Sequence, residues 1–284
     1  MTTSRKLQAV IESVAASDGA GVKLRRSLGS RQNQRFDPFL MLDEFFSDDP
    51  DDYLAGFPSH PHRGFETVTY MLDGHMRHED SFGNRRDLGP GDVQWMTAAR
   101  GIIHSDMPLI HQGLLHGFPL WINLPAAQKM KNPEYRQATA RELPQLKLAN
   151  GGLVRAFAGH WTLEGHTLGS PLAGMAVGAR ALDVQLPAGA QLSLDVPAAD
   201  TVLAYVYQGV LLAGLPIQKG QLARFGKGEQ ITLTAGADGV RLLLLAGTPL
   251  AEPIAQHGPF VMNTEAEIRQ AIADYRNGTL TVTH

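Results

Sequence analysis

The fold is decided by residues 60–70, which read HPHRGFETVTY. Residues two apart in a β-strand point to the same face of the sheet, so His60 and His62 offer two imidazoles to one side. His104 and Asp106 form a second such pair further along the chain. If the two segments are neighbouring strands, three imidazoles and one carboxylate converge. This pattern predicts a metal site.

Turn signals surround both pairs. The alternating residues after His62 predict a strand that ends at Asp73-Gly74, a dipeptide typical of a hairpin turn. Residues 89–92, which read GPGD, precede a second predicted strand that leads toward His104. A single histidine is more often a surface residue than a ligand. Two same-face pairs on neighbouring β segments favour a metal centre.

The composition excludes several classes of protein. The chain has 284 residues, of which 43% are hydrophobic and 19% charged, as in an ordinary globular protein of one large or two average domains. It has no cysteine, which excludes disulfides, thiolate catalysis and cysteine-ligated metal centres. A formal net charge of −3 gives no field that attracts nucleic acid or an anionic membrane. Because no signal peptide or membrane-spanning run is evident, we expect a cytoplasmic protein with neither partner.

Short apolar runs separated by glycine and proline predict an all-β protein of barrel or sandwich type. One helix is predicted at the carboxyl terminus. Thr264 and Glu267 have the spacing of a capping box, and Gly278 suits the end of the helix. We expect this helix to serve packing only.

The two halves of the chain show a weak internal repeat. Residues 70–74 align with 205–209, and residues 90–95 align with 219–224. The same register gives the counterparts of the four predicted ligands, which in order are Asp195, Pro197, Leu233 and Ala235. The second copy is therefore predicted to lack the metal ligands. We place the boundary in a polar stretch, with a metal-binding domain at 1–135 and a second domain at 136–284.

Longer motifs resemble those of the pirin family, within the cupin superfamily. They are HPHRGFET at 60–67, QWMTA at 94–98, HSDMP at 104–108, LWINLP at 120–125 and HGPFVMN at 257–263. The resemblance implies two tandem cupin barrels of jelly-roll type, followed by the helix. It also implies that the first barrel holds one iron-type ion and that the second is metal-free.

The family's motif places the ligands at His60, His62, His104 and Asp106. The family has glutamate where this chain has Asp106, and aspartate is one methylene shorter. Either Asp106 still coordinates the ion directly, or the ion has three protein ligands. Iron(II) is the expected ion, with nickel, manganese, copper and zinc as alternatives.

Other polar residues near the motif have two interpretations. Glu66 keeps the strand parity of His62, so we expect it either to face the metal site or to make a structural hydrogen bond at an edge. A cluster of ionisable residues follows the predicted turn, and we expect its members to be solvated loop residues: His75, His78, Glu79 and Asp80.

By resemblance, the leading prediction is a quercetin 2,3-dioxygenase-like oxidoreductase. Its substrates would be dioxygen and a flavonol or another enolisable small molecule. Asp106, and Glu66 as a second candidate, would accept the proton of the substrate hydroxyl group. The alternative is a non-enzymatic protein that senses the metal or its redox state and regulates a protein partner.

Overall fold

The computed structural model describes residues 3–30, 34–110 and 112–282. Within these ranges the chain forms 24 β-strands and one α-helix, so the predicted all-β class with a carboxyl-terminal helix is confirmed. The first twelve strands are β1 (Leu7–Glu12), β2 (Val14–Asp18), β3 (Val22–Leu28), β4 (Phe39–Ser47), β5 (Phe57–His62), β6 (Phe65–Asp73), β7 (Met76–Asp80), β8 (Arg85–Leu88), β9 (Val93–Thr97), β10 (Ile102–Pro108), β11 (Leu115–Asn123) and β12 (Glu134–Ala138).

The remaining elements follow in the second half of the chain. They are β13 (Gln145–Lys147), β14 (Leu153–Ala158), β15 (His160–Leu163), β16 (His166–Gly169), β17 (Arg180–Leu186), β18 (Gln191–Asp195), β19 (Thr201–Leu212), β20 (Pro216–Gln218), β21 (Gln221–Phe225), β22 (Gln230–Gly247), β23 (Ala255–His257), β24 (Phe260–Met262) and α1 (Glu265–Arg276). No helix in the described part of the chain is long and apolar enough to span a membrane.

The chain divides into two compact units that are not contiguous halves. One unit contains the described residues of 15–35, 39–140 and 250–284, and the other those of 1–14, 36–38 and 141–249. The main division therefore falls after residue 140, whereas the predicted boundary is at 135. In addition, the amino-terminal residues belong to the unit that contains 141–249, and the carboxyl-terminal residues belong to the unit that contains 39–140. The reason is strand pairing: β1 pairs with β21 of the second unit, and Phe260 of β24 forms a β-bridge with Arg63 of the first unit.

The first unit carries both pairs of predicted ligands, His60 with His62 and His104 with Asp106. It contains a seven-stranded sheet in the order β12-β9-β6-β11-β4-β3-β2 and a four-stranded sheet in the order β5-β10-β7-β8. Asp73-Gly74 joins β6 of one sheet to β7 of the other, so the predicted hairpin is wrong. Gly74 still makes the turn, with φ of 79°. The chain thus passes from one sheet to the other at Asp73-Gly74, although this dipeptide is typical of a turn between two strands of the same sheet.

Helix α1 begins as the sequence predicts. The Thr264 hydroxyl accepts a hydrogen bond from the Glu267 amide at 3.2 Å, and the Glu267 carboxylate accepts from the Thr264 amide at 2.8 Å. Ile268 and Ala271 form the buried face of the helix, and they pack in a cluster with Phe260 of β24. Ile103 of β10 packs against the same cluster, so the carboxyl-terminal segment is fixed to the unit that holds the histidines.

The second unit repeats the pairing register of the first. Tyr70 of β6 lies opposite Val93 of β9, and Tyr205 of β19 lies opposite Leu222 of β21. These are the partners that the aligned sequences require. The shared register supports the predicted internal repeat.

Counting along the sequence nevertheless misplaces part of the second copy. His104 lies opposite His60, and its aligned residue Leu233 lies opposite Leu192. The counterpart of His60 is therefore Leu192 and not the predicted Asp195. Two residues join β5 to β6, whereas five join β18 to β19. This difference of three residues explains why counting along the sequence gives Asp195 in place of Leu192. Leu192 and Leu233 belong to a buried apolar cluster, so side chains without ligand atoms occupy these positions.

Candidate metal centre

Strand β10 brings the two sequence motifs together. It lies between β5 and β7, with His104 opposite His60 on one side and opposite Asp80 on the other. The ring centroid of His104 is 4.2 Å from that of His60 and 4.9 Å from that of His62. His60, His62 and His104 offer ligand atoms that all lie within 4.8 Å of one another. The strand pairing, and not sequence proximity, creates this cluster.

The spacing of the imidazole nitrogens suits a single ion. His60 Nε2 and His62 Nε2 are 3.1 Å apart. Two nitrogens that each bind an ion at about 2.0–2.1 Å, at right angles, lie about 3 Å from each other. His104 Nε2 is buried and has no hydrogen-bond partner. Buried polar atoms normally have one, so an unpaired imidazole nitrogen beside two others is consistent with a missing ligand.

The protonation of the cluster also suits a metal. Burial, and next the proximity of His104, lower the pKa of His60, and the same causes hold the pKa of His62 well below its ordinary value. These imidazoles therefore keep the lone pair that a metal requires. His60 Nδ1 lies 2.8 Å from the carbonyl oxygen of Pro58, and donation at that position leaves Nε2 as the ligand atom. The residues present fit a metal ion.

Asp106 lies beside this cluster but is engaged elsewhere. Its Oδ1 lies 3.0 Å from His78 Nδ1 and accepts a hydrogen bond from Gln94 Nε2 at 3.1 Å. Its Oδ2 is 3.0 Å from His104 Nδ1, although the angle there falls outside hydrogen-bond geometry. A second group of potential ligands consists of Asp106, His104 and His78. Asp106 is not in the group of three histidines.

His78 is the site residue that the sequence interpretation missed. Its side chain is fully buried on β7, where solvated loop residues were predicted. Its Nδ1 faces Asp106, and its Nε2 lies 3.3 Å from Asp80 Oδ2. The Asp80 side chain is also fully buried, whereas His75 and Glu79 are exposed as predicted. His78 and Asp80 are two residues apart, so the same-face rule applied to His60 and His62 would have found them.

The opposite charges of His78 and Asp106 stabilise each other in the buried part of the site. Burial lowers the pKa of His78, but hydrogen bonds to Asp106 and Asp80 outweigh it and raise the pKa to about 9. Burial raises the pKa of Asp106, yet the proximity of His104 and the hydrogen bond with His78 hold it well below its ordinary value. Asp106 is consequently a weak proton acceptor. The role of Asp106 as the catalytic base stays a prediction.

Glu66 does not reach the cluster. Its side chain is fully buried, and its Oε1 accepts a hydrogen bond from the Thr97 hydroxyl at 2.9 Å. The next residue on β6, Thr67, lines the cavity that contains the histidines, so Glu66 points to the opposite face. The prediction that Glu66 points to the same face as His62 fails because the two residues lie on strands of different sheets. The chain turns between β5 and β6 at Gly64, which has φ of 92°. The predicted catalytic role of Glu66 therefore has no support from its position.

The histidines open into a cavity of about 580 Å³ within the first unit. Ligand pockets commonly measure about 300–1,000 Å³. Asp106 and the three histidines contribute to its wall. The large apolar side chains of the wall are those of Leu40, Met41, Phe45, Phe57, Met76 and Trp121.

A charged group forms another part of the wall. Arg26 donates to Asp43 through two nitrogens, at 2.8 and 2.7 Å, and to Asp18 at 2.7 Å. All three residues line the cavity. Burial raises the pKa of Asp43 to about 6, although the hydrogen bonds from Arg26 act in the opposite direction. The cavity thus combines a potential metal centre, an apolar surface and hydrogen-bonding groups.

Comparison with known sequences identifies two domains. The family described as Pirin matches residues 21–122, and the family described as Pirin C-terminal cupin domain matches residues 181–281. A Pseudomonas aeruginosa protein, provisionally named quercetin 2,3-dioxygenase, is 50% identical over 279 residues, covering 94% of this chain and 95% of the relative. Human pirin is 39% identical over 289 residues, covering 98% of this chain and 94% of the relative.

A solved structure is similar over nearly the whole chain. The crystal structure of quercetin 2,3-dioxygenase from Acinetobacter baumannii superposes with a TM-score of 0.87 and 32% identity, covering 97% of this chain and 98% of that one. These similarities establish tandem cupin-type domains. The chain belongs to the pirin family.

Proposed function

We propose that the protein is a metal-dependent oxidoreductase of the quercetin 2,3-dioxygenase type. The observation that carries this proposal is the convergence of three imidazoles, those of buried His62 and His104 and half-buried His60, in the wall of a cavity of about 580 Å³. A structural metal site would be closed by protein ligands, whereas three histidines leave positions open to a substrate. The names of the bacterial relatives support the same reaction class.

The metal would be one divalent transition ion held by His60, His62 and His104. Imidazole donors suit iron, nickel, copper and zinc, and carboxylates nearby also suit manganese. We take iron(II) as the first candidate and the other ions as alternatives. When bound, the ion would supply Lewis acidity toward a substrate oxygen and redox chemistry toward dioxygen.

The substrate would be a flavonol or another flat molecule with adjacent hydroxyl and carbonyl oxygens. The apolar wall around Trp121 and Phe45 would accept its aromatic rings and exclude water. The Asp43 and Asp18 carboxylates, both held by Arg26, would accept hydrogen bonds from its outer hydroxyl groups. In the overall reaction, a flavonol and one dioxygen give a ring-opened ester and one carbon monoxide.

The alternative function is a regulator whose metal or redox state controls binding to a protein partner. Human pirin, whose name carries no enzymatic activity, is a relative over almost the full chain. A regulator of that kind needs no substrate-sized cavity beside its metal. The cavity therefore favours the enzymatic proposal.

Oxygen uptake tests the proposal. Protein loaded in turn with iron(II), nickel, manganese, copper or zinc is mixed with quercetin, and the loss of dioxygen and the release of carbon monoxide are measured. We expect one carbon monoxide per dioxygen with at least one ion, loss of turnover in His62→Ala, and retention in His166→Ala, which alters an exposed histidine of the second unit. Absence of turnover with all five ions would contradict the proposal. A protein partner retained only by the metal-loaded form would then favour the regulator.

A further inference from the structure

We propose that Asp106 is a positioning residue that acts on His104 from outside the coordination shell, so that the ion has three histidines as its only protein ligands. The inference rests on the metal centre proposed above. It differs from the ligand set that the family's motif implies. The argument comes from the contacts of the Asp106 carboxylate.

One oxygen of Asp106 is hydrogen-bonded, and the other lies against a ring nitrogen of His104. Oδ1 receives two donors, His78 Nδ1 at 3.0 Å and Gln94 Nε2 at 3.1 Å, and Oδ2 lies 3.0 Å from His104 Nδ1. A carboxylate that coordinates an ion must direct an oxygen lone pair toward it. Here three nitrogens on β7, β9 and β10 surround the group. Moving Asp106 to the ion would break contacts within a buried network, where unpaired polar groups are costly.

The donors that hold Asp106 are themselves fixed. The His78 ring stacks on Tyr135, with centroids 4.5 Å apart and planes inclined by 19°. Its second nitrogen faces Asp80, which in turn accepts a hydrogen bond from the Asn84 side chain at 2.8 Å. Because carboxylates only accept hydrogen bonds, both nitrogens of His78 serve as donors and neither is available to an ion. His78 therefore holds Asp106 and does not form a second metal site with it.

The length of the Asp106 side chain also favours a position outside the coordination shell. Aspartate is one methylene shorter than glutamate, and ligand distances tolerate deviations of only about 0.2 Å. Asp106 Oδ2, which is not bonded to His78 or Gln94, lies 3.0 Å from His104 Nδ1, and both ring nitrogens of His104 are buried without a hydrogen-bond partner. The negative charge of a carboxylate beside Nδ1 favours the proton at that nitrogen electrostatically and leaves Nε2 for the ion. Such outer carboxylates typically raise metal affinity about 10–100-fold.

Cobalt(II) is the probe that tests this role, because its visible absorption bands depend on its ligands. The intact protein is titrated with Co(II) alone. We expect one Co(II) per chain in the wild type. Asp106→Asn is expected to keep the stoichiometry and the band positions while losing about 10–100-fold in affinity, whereas His62→Ala should lose the site. Shifted bands in Asp106→Asn, or a loss equal to that in His62→Ala, would overturn the inference. Two Co(II) per chain would do so as well.

A second measurement needs no variant and therefore does not depend on whether Asp106→Asn folds. In a crystal structure of the Co(II)-loaded wild type, we expect both Asp106 oxygens to lie farther from the ion than the bonding distance of about 2.0–2.2 Å. A carboxylate oxygen at that distance would overturn the inference and leave the proposed function intact. Failure of the wild type to bind Co(II) at all would contradict the proposed metal centre as well.

Discussion

Arg63 and Asp274 form an ion pair that joins the residue after His62 to helix α1, with Arg63 Nη1 2.6 Å from Asp274 Oδ2. The Arg63 side chain is 5% exposed and that of Asp274 is 21% exposed. Arg63 also donates through Nε to the carbonyl oxygen of Arg100. The helix that the sequence marks as a packing element is therefore connected to the strand that ends at His62.

Replacing Asp274 by alanine should destabilise the first unit. The change leaves the buried Arg63 guanidinium without its carboxylate, and we expect the free energy of unfolding in urea to fall by about 2–3 kcal/mol. Glu79→Ala is the matched control, since it breaks an exposed ion pair to Arg85 and should cost less than about 1 kcal/mol. Equal effects of the two changes would contradict this account.

Gly64 should tolerate no side chain. It has φ of 92°, and an added Cβ would collide with the carbonyl oxygen of Val261. We expect Gly64→Ala to cost more than about 2 kcal/mol, because a strained backbone adds to a contact that only backbone movement can relieve. Gly83→Ala has a similar φ of 83° but open space around the new Cβ, so it should cost only about 1 kcal/mol. Thermal unfolding of both variants tests the difference, and Gly64→Ala should also weaken metal binding by moving His62.

Lys129 should make stability depend on pH. Its amino group donates to Gly64 O and Asn123 Oδ1, both at 2.6 Å, and to Val261 O at 3.0 Å. Burial lowers its pKa from 10.5 to about 8, against the opposing effects of the nearby Glu252 and Glu267. Below pH 8 both folded and unfolded chains carry the charge, and the cost of burying it is fully present.

Between pH 8 and 10.5 the unfolded chain binds the Lys129 proton and the folded chain does not, so the free energy of unfolding should rise with pH. The rise attributable to this residue is about 3 kcal/mol. Lys129→Met removes the titration and leaves a constant offset from the lost hydrogen bonds. The free energies of unfolding of the wild type and the variant, measured in urea and plotted against pH, should therefore diverge across this range. A difference in free energy of unfolding between the two proteins that stays constant from about pH 7.5 to 10.5 would exclude this effect of Lys129.

Filling the cavity should separate substrate binding from metal binding. Met41 lines the cavity and is 8% exposed. Met41→Trp places a larger side chain against the proposed substrate, so we expect the KM for quercetin to rise about tenfold or more, a loss of over 1.4 kcal/mol in binding, with Co(II) stoichiometry unchanged. Met130→Trp is the control, because Met130 is 57% exposed and does not line the cavity. An unchanged KM in Met41→Trp would place the substrate elsewhere.

The sequence predicts those features that depend on local periodicity. The same-face rule places His60 with His62, and the capping box marks the start of α1. The rule fails for Glu66 because the chain changes sheets after His62, and parity has no meaning across that change. His78 was missed because Asp73-Gly74 joins two sheets and does not close a hairpin, so the following residues enter the core.

Long-range pairing is the part that local patterns do not contain. The repeat is evident from Tyr70 and Tyr205, but the counterpart of His60 depends on the length of a connection that sequence counting cannot place. The engagement of Asp106 by His78 likewise depends on β7 pairing with β10. Sequence periodicity thus identifies donor side chains, and the sheet order decides which of them meet.

The metal content of the freshly purified intact protein is the most direct test of the central claim. Elemental analysis should find one transition-metal ion per chain in the wild type and in His166→Ala, and almost none in His104→Ala, because the three imidazoles at the cavity wall act together. A wild-type protein that neither carries nor takes up a transition-metal ion would contradict the account. So would a His104→Ala variant that binds the ion as well as the wild type.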